Sequence, residues 1–388
     1  MYKLYLKKNE EKRLKLHEAL VYANEIDKIV GKDNNGSISY LYSYDNKFIG
    51  KGYINHLSKV ILRILSRDEN EIIDKEFFKE RIRNAYKYRM DIGYSGSYRL
   101  LFSESDLIPG LIIDRYEDTF VIEISSLGLE LNKEYIIESL IELFNPKCIY
   151  EKCEMNLRTK EGLKDSSGLL YGELPDEVII TENGLSLSID IVNGQKTGYF
   201  LDQRENRYAV RSYTKNKEVL DCFSNSGGFS MNACTNASHV TAIDISKKAT
   251  DNVLRNAKLN GFNNIDVITD DVFKVLREFK KDGRLFDTII LDPPAFTKSV
   301  SEVKDALRGY KDINILAMKL IRKGGYLITS SCSHYISFNL FEKMLIEASK
   351  ESNRLVRLIE LKTQAKDHLS ILSNNDTTYL KFYCLKIE

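Results

Sequence analysis

In the second half of the chain, short apolar runs alternate with segments of helical periodicity, and this order constrains the fold more than any other feature. The apolar runs have the length of strands and occupy residues 219–223, 240–245, 266–269, 286–292 and 326–331. Helix-like segments lie between or beside them, at residues 229–236, 247–259 and 303–321. Strands that alternate with helices build a parallel sheet covered by helices on both faces. The sequence therefore predicts an α/β fold, a Rossmann-like, doubly wound and mainly parallel sheet, with a candidate antiparallel last strand at 378–387.

The first 74 residues have a different pattern, in which short alternating runs are separated by Asn, Asp and Gly. These runs cover residues 37–42, 47–54 and 60–65. Alternation of this kind, bounded by turn residues, is typical of half-buried strands joined by tight turns. We therefore predict a small β-rich domain over residues 1–74.

A central α/β domain is predicted over residues 75–180, and the doubly wound sheet makes up a third domain over residues 181–388. Apolar spacing and turn residues define the elements of the central domain. In order, they are a helix over 71–90 with Asp74 as its cap, a hairpin of the runs 111–113 and 120–124 around Glu117-Asp118, a helix over 131–143, a strand over 148–151 and a mobile loop over 160–172.

Composition excludes several classes of protein. Lys plus Arg total 57 and Asp plus Glu total 56, so the net charge is +1 and any nucleic-acid binding must come from local patches. No run approaches the roughly 20 apolar residues that cross a bilayer, and the N-terminus lacks the apolar segment of a signal peptide. The six cysteines and five histidines show no metal-binding spacing, so we expect no metal site. The sequence is that expected of a cytoplasmic protein with reduced thiols.

Three acidic residues follow successive strands of the predicted sheet, at the edge where such folds bind ligands. Asp221 begins a glycine-containing loop, Asp244 closes the second strand about twenty residues later, and Asp271 follows the third. A carboxylate at the place of Asp244 can accept both hydroxyls of a ribose, and Asp271 is placed for an adenine amine. The dinucleotide fingerprint Gly-x-Gly-x-x-Gly is absent, so S-adenosylmethionine is the predicted cofactor. The alternative is that these acids cap helices or turns.

Asp292 ends the fourth strand and Cys332 follows the fifth, so both side chains are predicted to reach the same crevice. A thiolate that adds to carbon 6 of a pyrimidine makes carbon 5 nucleophilic enough to attack a methyl sulfonium. We predict that Cys332 is this nucleophile and that Asp292 holds a cytosine by its N3/N4 edge and protonates N3. The alternative for Cys332 is a small buried apolar residue at a strand end. Cys222 lies inside the donor loop and is expected to have a packing role.

Several segments together resemble the bacterial class I 23S rRNA cytosine-C5 methyltransferases, and the resemblance extends over essentially the whole chain. That family has a PUA domain, a central α/β domain and a Rossmann-like catalytic domain. The segments that carry the resemblance are 50–55 in the first domain, 106–116 in the second, and 194–207, 220–229, 291–296 and 330–334 in or next to the third. The resemblance implies donor contacts from Tyr199, Phe200, Gln203, Arg204, Ser224 and Gly227. Asp221 and Asp292 are also predicted to contact the donor.

The chain departs from the family pattern at three places. The donor loop reads Cys-Phe-Ser-Asn-Ser-Gly-Gly where the family usually has Leu-Phe-Cys-Tyr-Thr-Gly-Gly, which alters the residue next to the donor. The first domain has no Trp. Asp367-His368 is similar to a late Asp-His pair of the family, but Leu369 replaces the expected Pro. For His368, a structural role is favoured over a role as proton acceptor.

Local basic clusters could bind RNA despite the neutral overall charge. One cluster is at the N-terminus and includes Lys7, Lys8 and Arg13; a second lies on the helix over 71–90 and includes Arg81, Arg83 and Arg89. Tyr86, Tyr88, Tyr94 and Tyr98 are near the second cluster and are predicted to stack on unpaired bases. Phe296 is predicted to contact a target base that has been turned out into the crevice. The alternative is that each basic run is only a solvated face.

Three other functions compete with this prediction. One is methylation of another RNA position, of tRNA, or of a ring or exocyclic nitrogen; Ala295 disfavours it, because amino-methylating enzymes often have an aromatic residue directly after Asp-Pro-Pro. Another is a non-catalytic RNA-binding ribosome-assembly factor, which the set Asp221, Asp244, Asp271, Asp292 and Cys332 argues against. A nicotinamide-dependent oxidoreductase would need the missing glycine fingerprint. The predicted partner is 23S rRNA or a large-subunit precursor. A homodimer is also considered.

Overall fold

The computed structural model describes residues 2–15, 18–32, 34–153, 155–297, 299–374 and 377–388. The chain forms two units. The first unit comprises Met1–Ile180, Ile189–Leu201 and Lys366–Thr377, and the second comprises Thr181–Ser188, Asp202–Ala365 and Thr378–Glu388. None of the helices in the described ranges is long and apolar enough to span a membrane.

The first unit begins with a sheet whose strands follow one another closely in the chain. Its strands are β1 (Lys3–Leu6), β2 (Leu20–Tyr22), β3 (Ile26–Val30), β4 (Ile38–Tyr42), β5 (Phe48–Ile54) and β6 (Val60–Ser66), with the short helix α1 (Glu11–Leu14) after β1. They are ordered β2-β6-β5-β4-β1-β3, and only β1 and β4 pair in parallel. At Gly52 the neighbouring strand comes so close that an added Cβ would lie 1.7 Å from the carbonyl oxygen of Arg63. Only glycine fits there.

The same unit continues with a second sheet and the helices packed on it. The elements are α2 (Lys75–Asp91), β7 (Ser97–Phe102), β8 (Leu111–Tyr116), β9 (Thr119–Ile124), α3 (Leu127–Leu131), α4 (Lys133–Phe144), β10 (Cys148–Glu151), α5 (Met155–Lys160) and β11 (Gly168–Gly172). The sheet order is β11-β10-β9-β8-β7. Asp74 caps α2 by accepting the backbone N–H of Phe77 at 3.1 Å, as the sequence predicts. The predicted loop over 160–172 is wrong in its last part, because β11 pairs with β10.

The two sheets of the first unit share one apolar core. Tyr53 of β5 and Leu65 of β6 belong to the same buried cluster as Phe78 of α2 and Ile122 of β9. A polar contact adds to this packing, since Glu161 is buried and accepts hydrogen bonds from Asn55 and Ser58. After β11, a separate pair of strands forms, β12 (Val178–Glu182) and β13 (Leu185–Ile189).

The second unit contains the predicted doubly wound sheet. Its helices and strands are α6 (Arg204–Ala209), α7 (Arg211–Thr214), β14 (Glu218–Cys222), α8 (Gly228–Cys234), β15 (His239–Asp244), α9 (Lys247–Leu259), β16 (Ile265–Thr269), α10 (Val272–Lys281), β17 (Phe286–Leu291), α11 (Val303–Leu320), β18 (Ile321–Ser331), α12 (Phe338–Ser352), β19 (Val356–Lys362) and β20 (Lys381–Ile387). Strands β14 to β18 pair in parallel, in the order β16-β15-β14-β17-β18. β20 is antiparallel to β18 and β19, so the prediction of an antiparallel last strand is confirmed.

The order of the strands determines where this sheet can bind a ligand. β14 pairs with β15 on one side and with β17 on the other. The chain therefore adds its first strands on one side of β14 and its later strands on the other. A crevice opens beyond the carboxyl ends of the strands at such a switch point. The loops after β14, β15, β17 and β18 therefore lie at the end of the sheet where a ligand can bind.

Candidate active site

The loop after β14 has an unusual backbone. Phe223, Asn225 and Gly227 have φ values of 63°, 47° and 83°, in the left-handed region that favours glycine. Gly227 is the N-cap of α8, and an added Cβ there would lie 3.2 Å from the methyl groups of Val253. Non-glycine residues held in this region, here Phe223 and Asn225, cost about 1–3 kcal/mol each, and such residues cluster at ligand-binding sites. The loop is therefore fixed in a conformation that brings its backbone to the crevice.

Asp244 holds this loop from the end of β15. Its Oδ2 accepts the backbone N–H of Asn225 at 2.9 Å, and its Oδ1 accepts the backbone N–H of Ser246 at 2.9 Å. The side chain is half-buried. Each carboxylate oxygen can accept a second hydrogen bond, so both can still accept a ligand hydroxyl.

Asp221 lies in β14, and Ser224 lies in the loop that follows this strand. Asp221 is fully buried, and its Oδ2 accepts the hydroxyl of Ser230 at 2.5 Å. Burial raises the pKa of Asp221 to about 7, against the opposing effect of that hydrogen bond. The buried hydroxyl of Ser224 has no hydrogen-bond partner among the described residues. An orphaned hydroxyl in a strained, glycine-containing loop fits a polar cofactor such as S-adenosylmethionine. Asp221, in contrast, is fully buried and supports the loop through Ser230, so a donor contact stays a prediction for this residue.

Asp271 caps a helix, as the alternative interpretation of the sequence proposes. It is exposed at the N-cap of α10 and accepts the backbone N–H of Lys274 at 2.8 Å. Its neighbour Asp270 accepts the Lys274 ammonium at 2.6 Å. Capping occupies one oxygen of Asp271, so a contact with an adenine amine stays a prediction for this residue.

Asp292 lies directly after β17 and is held by two donors. The side-chain amide of Gln203 donates to its Oδ1 at 2.9 Å, and the hydroxyl of Ser330 on β18 donates to the same oxygen. Burial raises the pKa of Asp292 to about 6; the Ser330 hydrogen bond opposes this rise and the charge of Asp202 adds to it. A carboxyl with this pKa can carry or release a proton near neutral pH.

Cys332 follows β18 and is half-buried. Tyr310 of α11 links it to Asp292: the pKa of Tyr310 is raised mainly by burial, and the charges of Cys332 and Asp292 both add to the rise. The charges of Cys332 and Asp292 therefore both raise the pKa of the buried Tyr310 hydroxyl. The two residues follow the adjacent parallel strands β18 and β17. Cys222 is fully buried, and burial raises its pKa well above that of an ordinary thiol, which agrees with a packing role.

The residues implied by the family resemblance fall in both units. In the second unit, Gln203 contacts Asp292, and Arg204 lies 3.7 Å from the buried carboxylate of Glu182. In the first unit, the carbonyl of Tyr199 accepts the hydroxyl of Tyr116 at 3.4 Å, and the Lys196 ammonium lies 4.9 Å from the centre of the Phe200 ring. Donor contacts from these residues stay predictions.

Phe296 is in contact with the interior of the second unit. Its ring centroid lies 4.5 Å from that of Tyr310, and it packs against the apolar core. The ring is half-buried, so contact with a target base would use only its outer part.

The N-terminal basic cluster divides into two kinds of residue. Lys7 and Lys8 are exposed, and Lys7 donates to the carbonyl of Asn24 at 2.7 Å. Arg13 instead forms ion pairs with Glu18 and Glu25, both at 2.5 Å. Two carboxylates neutralise Arg13, which favours a structural role. Lys7 and Lys8 are the better candidates for RNA contacts.

The second basic cluster is only partly available to a ligand. Arg83 is exposed beside Glu80, and Arg81 lies 3.6 Å from Glu71. The prediction is wrong for Arg89, which is fully buried and forms a bidentate ion pair with Asp106.

The stacking prediction is wrong for Tyr98. This residue is fully buried in the core shared by the two sheets of the first unit, because its position on β7 faces inward. Tyr88 uses its hydroxyl to donate to the carbonyl of Lys366.

His368 is buried within the first unit. Its Nδ1 lies 2.7 Å from Oδ1 of Asp367, and its ring packs on Phe102. Asp367 also accepts the backbone N–H of Arg99 at 2.8 Å. These contacts agree with the structural role that the sequence favours.

Comparison with known proteins agrees with this geometry. A family model described as S-adenosylmethionine-dependent methyltransferase matches residues 155–365, and a PUA-like domain model matches residues 4–67. Ribosomal RNA large subunit methyltransferase I of Aliivibrio fischeri (strain ATCC 700601 / ES114) is 40% identical over 393 residues, covering 99% of both chains. The protein of that name from Vibrio cholerae serotype O1 (strain ATCC 39541 / Classical Ogawa 395 / O395) is also 40% identical, over 395 residues and 99% of both chains.

Two solved structures have the same fold over 100% of both chains. A Streptococcus mutans structure, assigned as a SAM-dependent methyltransferase, has a TM-score of 0.84 at 23% identity. A second, assigned as a methyltransferase and complexed with SAH, has a TM-score of 0.86 at 23% identity. At this identity the likeness supports the fold: a PUA-like domain followed by a Rossmann-like methyltransferase domain.

Sequence reasoning missed residues that hold the site together. Ser330 and Tyr310 were not predicted to be near Asp292 and Cys332. Ser330 lies two residues before Cys332 and in the adjacent strand to Asp292, so strand pairing could have identified it. No local pattern marks Tyr310, because its contact depends on how α11 packs against the sheet.

Proposed function

Because the chain belongs to the S-adenosylmethionine-dependent ribosomal RNA large subunit methyltransferases, we propose that it forms 5-methylcytosine in 23S rRNA through a covalent bond between Cys332 and carbon 6 of the base. The observation that carries this proposal is that a half-buried cysteine and a carboxyl of raised pKa follow two adjacent strands at the same end of the sheet. Cys332 and Asp292 follow adjacent parallel strands and share Tyr310 as a neighbour. The nitrogen-methylation alternative does not require this thiol.

The chain's own residues then have distinct tasks. The Cys332 thiolate adds to carbon 6 of the cytosine, and the Asp292 carboxyl donates its proton to N3, so the adduct carries no added charge on the ring. When bound, S-adenosylmethionine supplies an activated methyl group. Carbon 5 would take that methyl and leave the donor as its thioether. A base then removes the carbon-5 proton, the Cys332–carbon 6 bond breaks to return the thiolate, and N3 gives its proton back to Asp292. Gln203 and Ser330 keep Asp292 aimed at the base throughout.

The loops after β14, β15 and β16 are proposed to hold the donor. Asp244 accepts the ribose hydroxyls with the oxygen lone pairs that Asn225 and Ser246 leave available. The Ser224 hydroxyl and the backbone at Gly227 contact the donor from the strained loop, and Asp271 accepts the adenine amine. Asp221 supports that loop through Ser230.

RNA is proposed to contact the exposed cations of the PUA-like domain. Lys7 and Lys8 are the strongest candidates there, and Arg83 contributes from α2. The target base has to leave its stack to reach Cys332, as in other enzymes that modify bases within structured nucleic acid.

Mapping of methylated nucleotides tests the product directly. Ribosomal RNA from cells with and without the gene is digested and analysed by mass spectrometry, and the purified protein is then given the unmodified RNA. The proposal predicts one large-subunit cytosine that carries a carbon-5 methyl only when the protein is present. A methyl group that depends on the protein but lies on a nitrogen, or on tRNA, would overturn it.

A further inference from the structure

Lys381, the first residue of β20, is a buried lysine next to the cysteine loop. Only 2% of its surface is exposed, although lysine side chains are almost never fully buried without a partner. β20 runs antiparallel to β18 so that Lys381 lies opposite Ser331, one residue before Cys332. The register of the two strands therefore brings this cation to the end of β18.

The ammonium group is bound by backbone carbonyls. Its Nζ donates to the carbonyl of Ser333 at 2.6 Å and to the carbonyl of Tyr379 at 2.6 Å, and it lies 6.0 Å from the centre of the Phe338 ring. Within the described residues, no carboxylate forms an ion pair with Lys381. A buried cation without a carboxylate partner is costly, so an anion that forms nearby is strongly favoured.

The nearby group that can become an anion is the thiol of Cys332. Burial lowers the pKa of Lys381 to about 8, and the charge of Cys332 opposes this fall. The two groups therefore interact electrostatically. At neutral pH the lysine is still mostly protonated, and its charge is available to a thiolate.

We propose that Lys381 is a positioning residue for Cys332, which fixes the segment after β18 through the Ser333 carbonyl and stabilises the thiolate with its ammonium charge. The Cys332 thiol proton is released to solvent, and Lys381 keeps its three protons. This inference rests on the proposed function for its purpose, since a covalent mechanism needs the thiolate before the base arrives.

Tyr310 and Asp292 cannot take this place, because neither group carries a positive charge in any protonation state. Tyr310 lies on α11, and Asp292 directly follows β17. His334 follows in the same segment, with its ring 5.0 Å from that of Tyr379. Loss of the Lys381 charge should therefore make the thiolate less stable.

Alkylation of Cys332 measures this effect without RNA or donor. The full chain is treated with iodoacetamide between pH 6 and 10, and the rate at Cys332 is followed by peptide mass spectrometry. Lys381→Met should move the midpoint up by at least about one pH unit and slow alkylation at pH 7.5 about tenfold. An unchanged profile in a folded Lys381→Met protein would overturn the proposal.

A matched control and a measurement on the unchanged protein complete the test. Lys51 is also buried and donates to a backbone carbonyl, that of Glu69, so Lys51→Met removes a buried lysine from the other unit. This variant should keep the alkylation profile of the parent; a shift as large as that of Lys381→Met would overturn the proposal. In the parent protein the midpoint should lie below that of an ordinary thiol, about 8.5, and a midpoint at or above that value would contradict the inference even if Lys381→Met does not fold. These readings hold whether or not 5-methylcytosine is the product.

Discussion

The hydroxyl of Ser330 donates a hydrogen bond to the carboxyl of Asp292 across the parallel pairing of β17 and β18. Leu291 lies opposite Thr329 in this pairing. The next residues of the two segments, Asp292 and Ser330, therefore lie side by side near the carboxyl ends of the two strands. The contact fixes the orientation of Asp292 and also stabilises its charged form. It therefore lowers the pKa of Asp292, against the larger effect of burial, which raises it.

Ser330→Ala should raise the pKa of Asp292, because the charged carboxylate loses a hydrogen bond that now lowers that pKa from the value set by burial. If protonated Asp292 is needed, the alkaline limb of the pH–rate profile for methylation moves to higher pH, by about one unit. Asp292→Asn should lower kcat by about 10²–10⁴-fold.

Ser331→Ala is the control for the Ser330→Ala variant. The Ser331 hydroxyl donates to Tyr310 at 3.1 Å rather than to Asp292. The alkaline limb should stay in place in Ser331→Ala. A limb that is equally unmoved in Ser330→Ala would rule out Asp292 as the acid.

Asp244→Ala should weaken donor binding, because the ribose hydroxyls lose their acceptor and the N–H of Asn225 loses its partner. A hydrogen bond to a charged group contributes about 1.5–3 kcal/mol, so Kd for S-adenosylmethionine should rise about tenfold to a hundredfold. Calorimetry checks this, with Asp251→Ala on the exposed face of α9 as the control. An unchanged Kd for Asp244→Ala would refute the assignment.

Replacing Lys7 and Lys8 with Glu should weaken RNA binding and leave donor binding intact. Removing two phosphate contacts should lower the slope of log K against log salt by about 2. Charge reversal is preferable to deletion of the first domain, because Tyr53 and Leu65 pack in a core shared with the next sheet. The exposed pair Lys280 and Lys281 on α10 provides a control of equal charge change. Equal RNA affinity in both double variants would count against this surface.

Asp221 should make stability depend on pH. Its folded-state pKa is about 7, above the ordinary 3.8, so between these values the folded chain keeps a proton that the unfolded chain has lost. Stability therefore falls as pH rises from about 4 to 7, by about 2–4 kcal/mol, and stays lower above pH 7. Asp221→Asn should lack this fall in urea denaturation at pH 5 and pH 8, whereas the exposed Asp282→Asn should keep it. Parallel profiles for Asp221→Asn and the parent would contradict the argument.

Much of the fold follows from local pattern. The alternation after residue 181 predicts the parallel sheet, and the helix Lys247–Leu259 has the predicted bounds because Ser246 caps it and a clear apolar face runs along it. α10, α12 and β19 were not predicted. The residues of β19 are mostly exposed or half-buried, and it becomes a strand only by pairing with β20, which is distant in sequence.

In the candidate site, too, local sequence predicts some residues, whereas others depend on how distant segments pack. Asp244, Asp292 and Cys332 could be placed at one edge of the sheet, because each lies at or just after the end of a recognisable strand. Burial could not be predicted at Arg89 or Tyr98, where a basic or aromatic residue on a helix or strand is turned inward by packing with distant segments. Lys381 could not be identified either, since its relation to Cys332 depends on the register of β20 against β18.

Trapping the covalent intermediate tests the central claim most directly. Large-subunit RNA that carries 5-fluorocytosine at the target has no removable proton on carbon 5, so the methylated base cannot leave the enzyme once the bond to sulfur has formed. After incubation with S-adenosylmethionine and digestion, mass spectrometry should find the methylated, fluorinated nucleotide on the peptide that contains Cys332. Cys332→Ala should give no adduct and no methylation while it still binds the donor, and Cys153→Ala, at the other half-buried cysteine, should give the adduct. Methylation of the natural RNA by Cys332→Ala, or an adduct on another cysteine, would contradict the account.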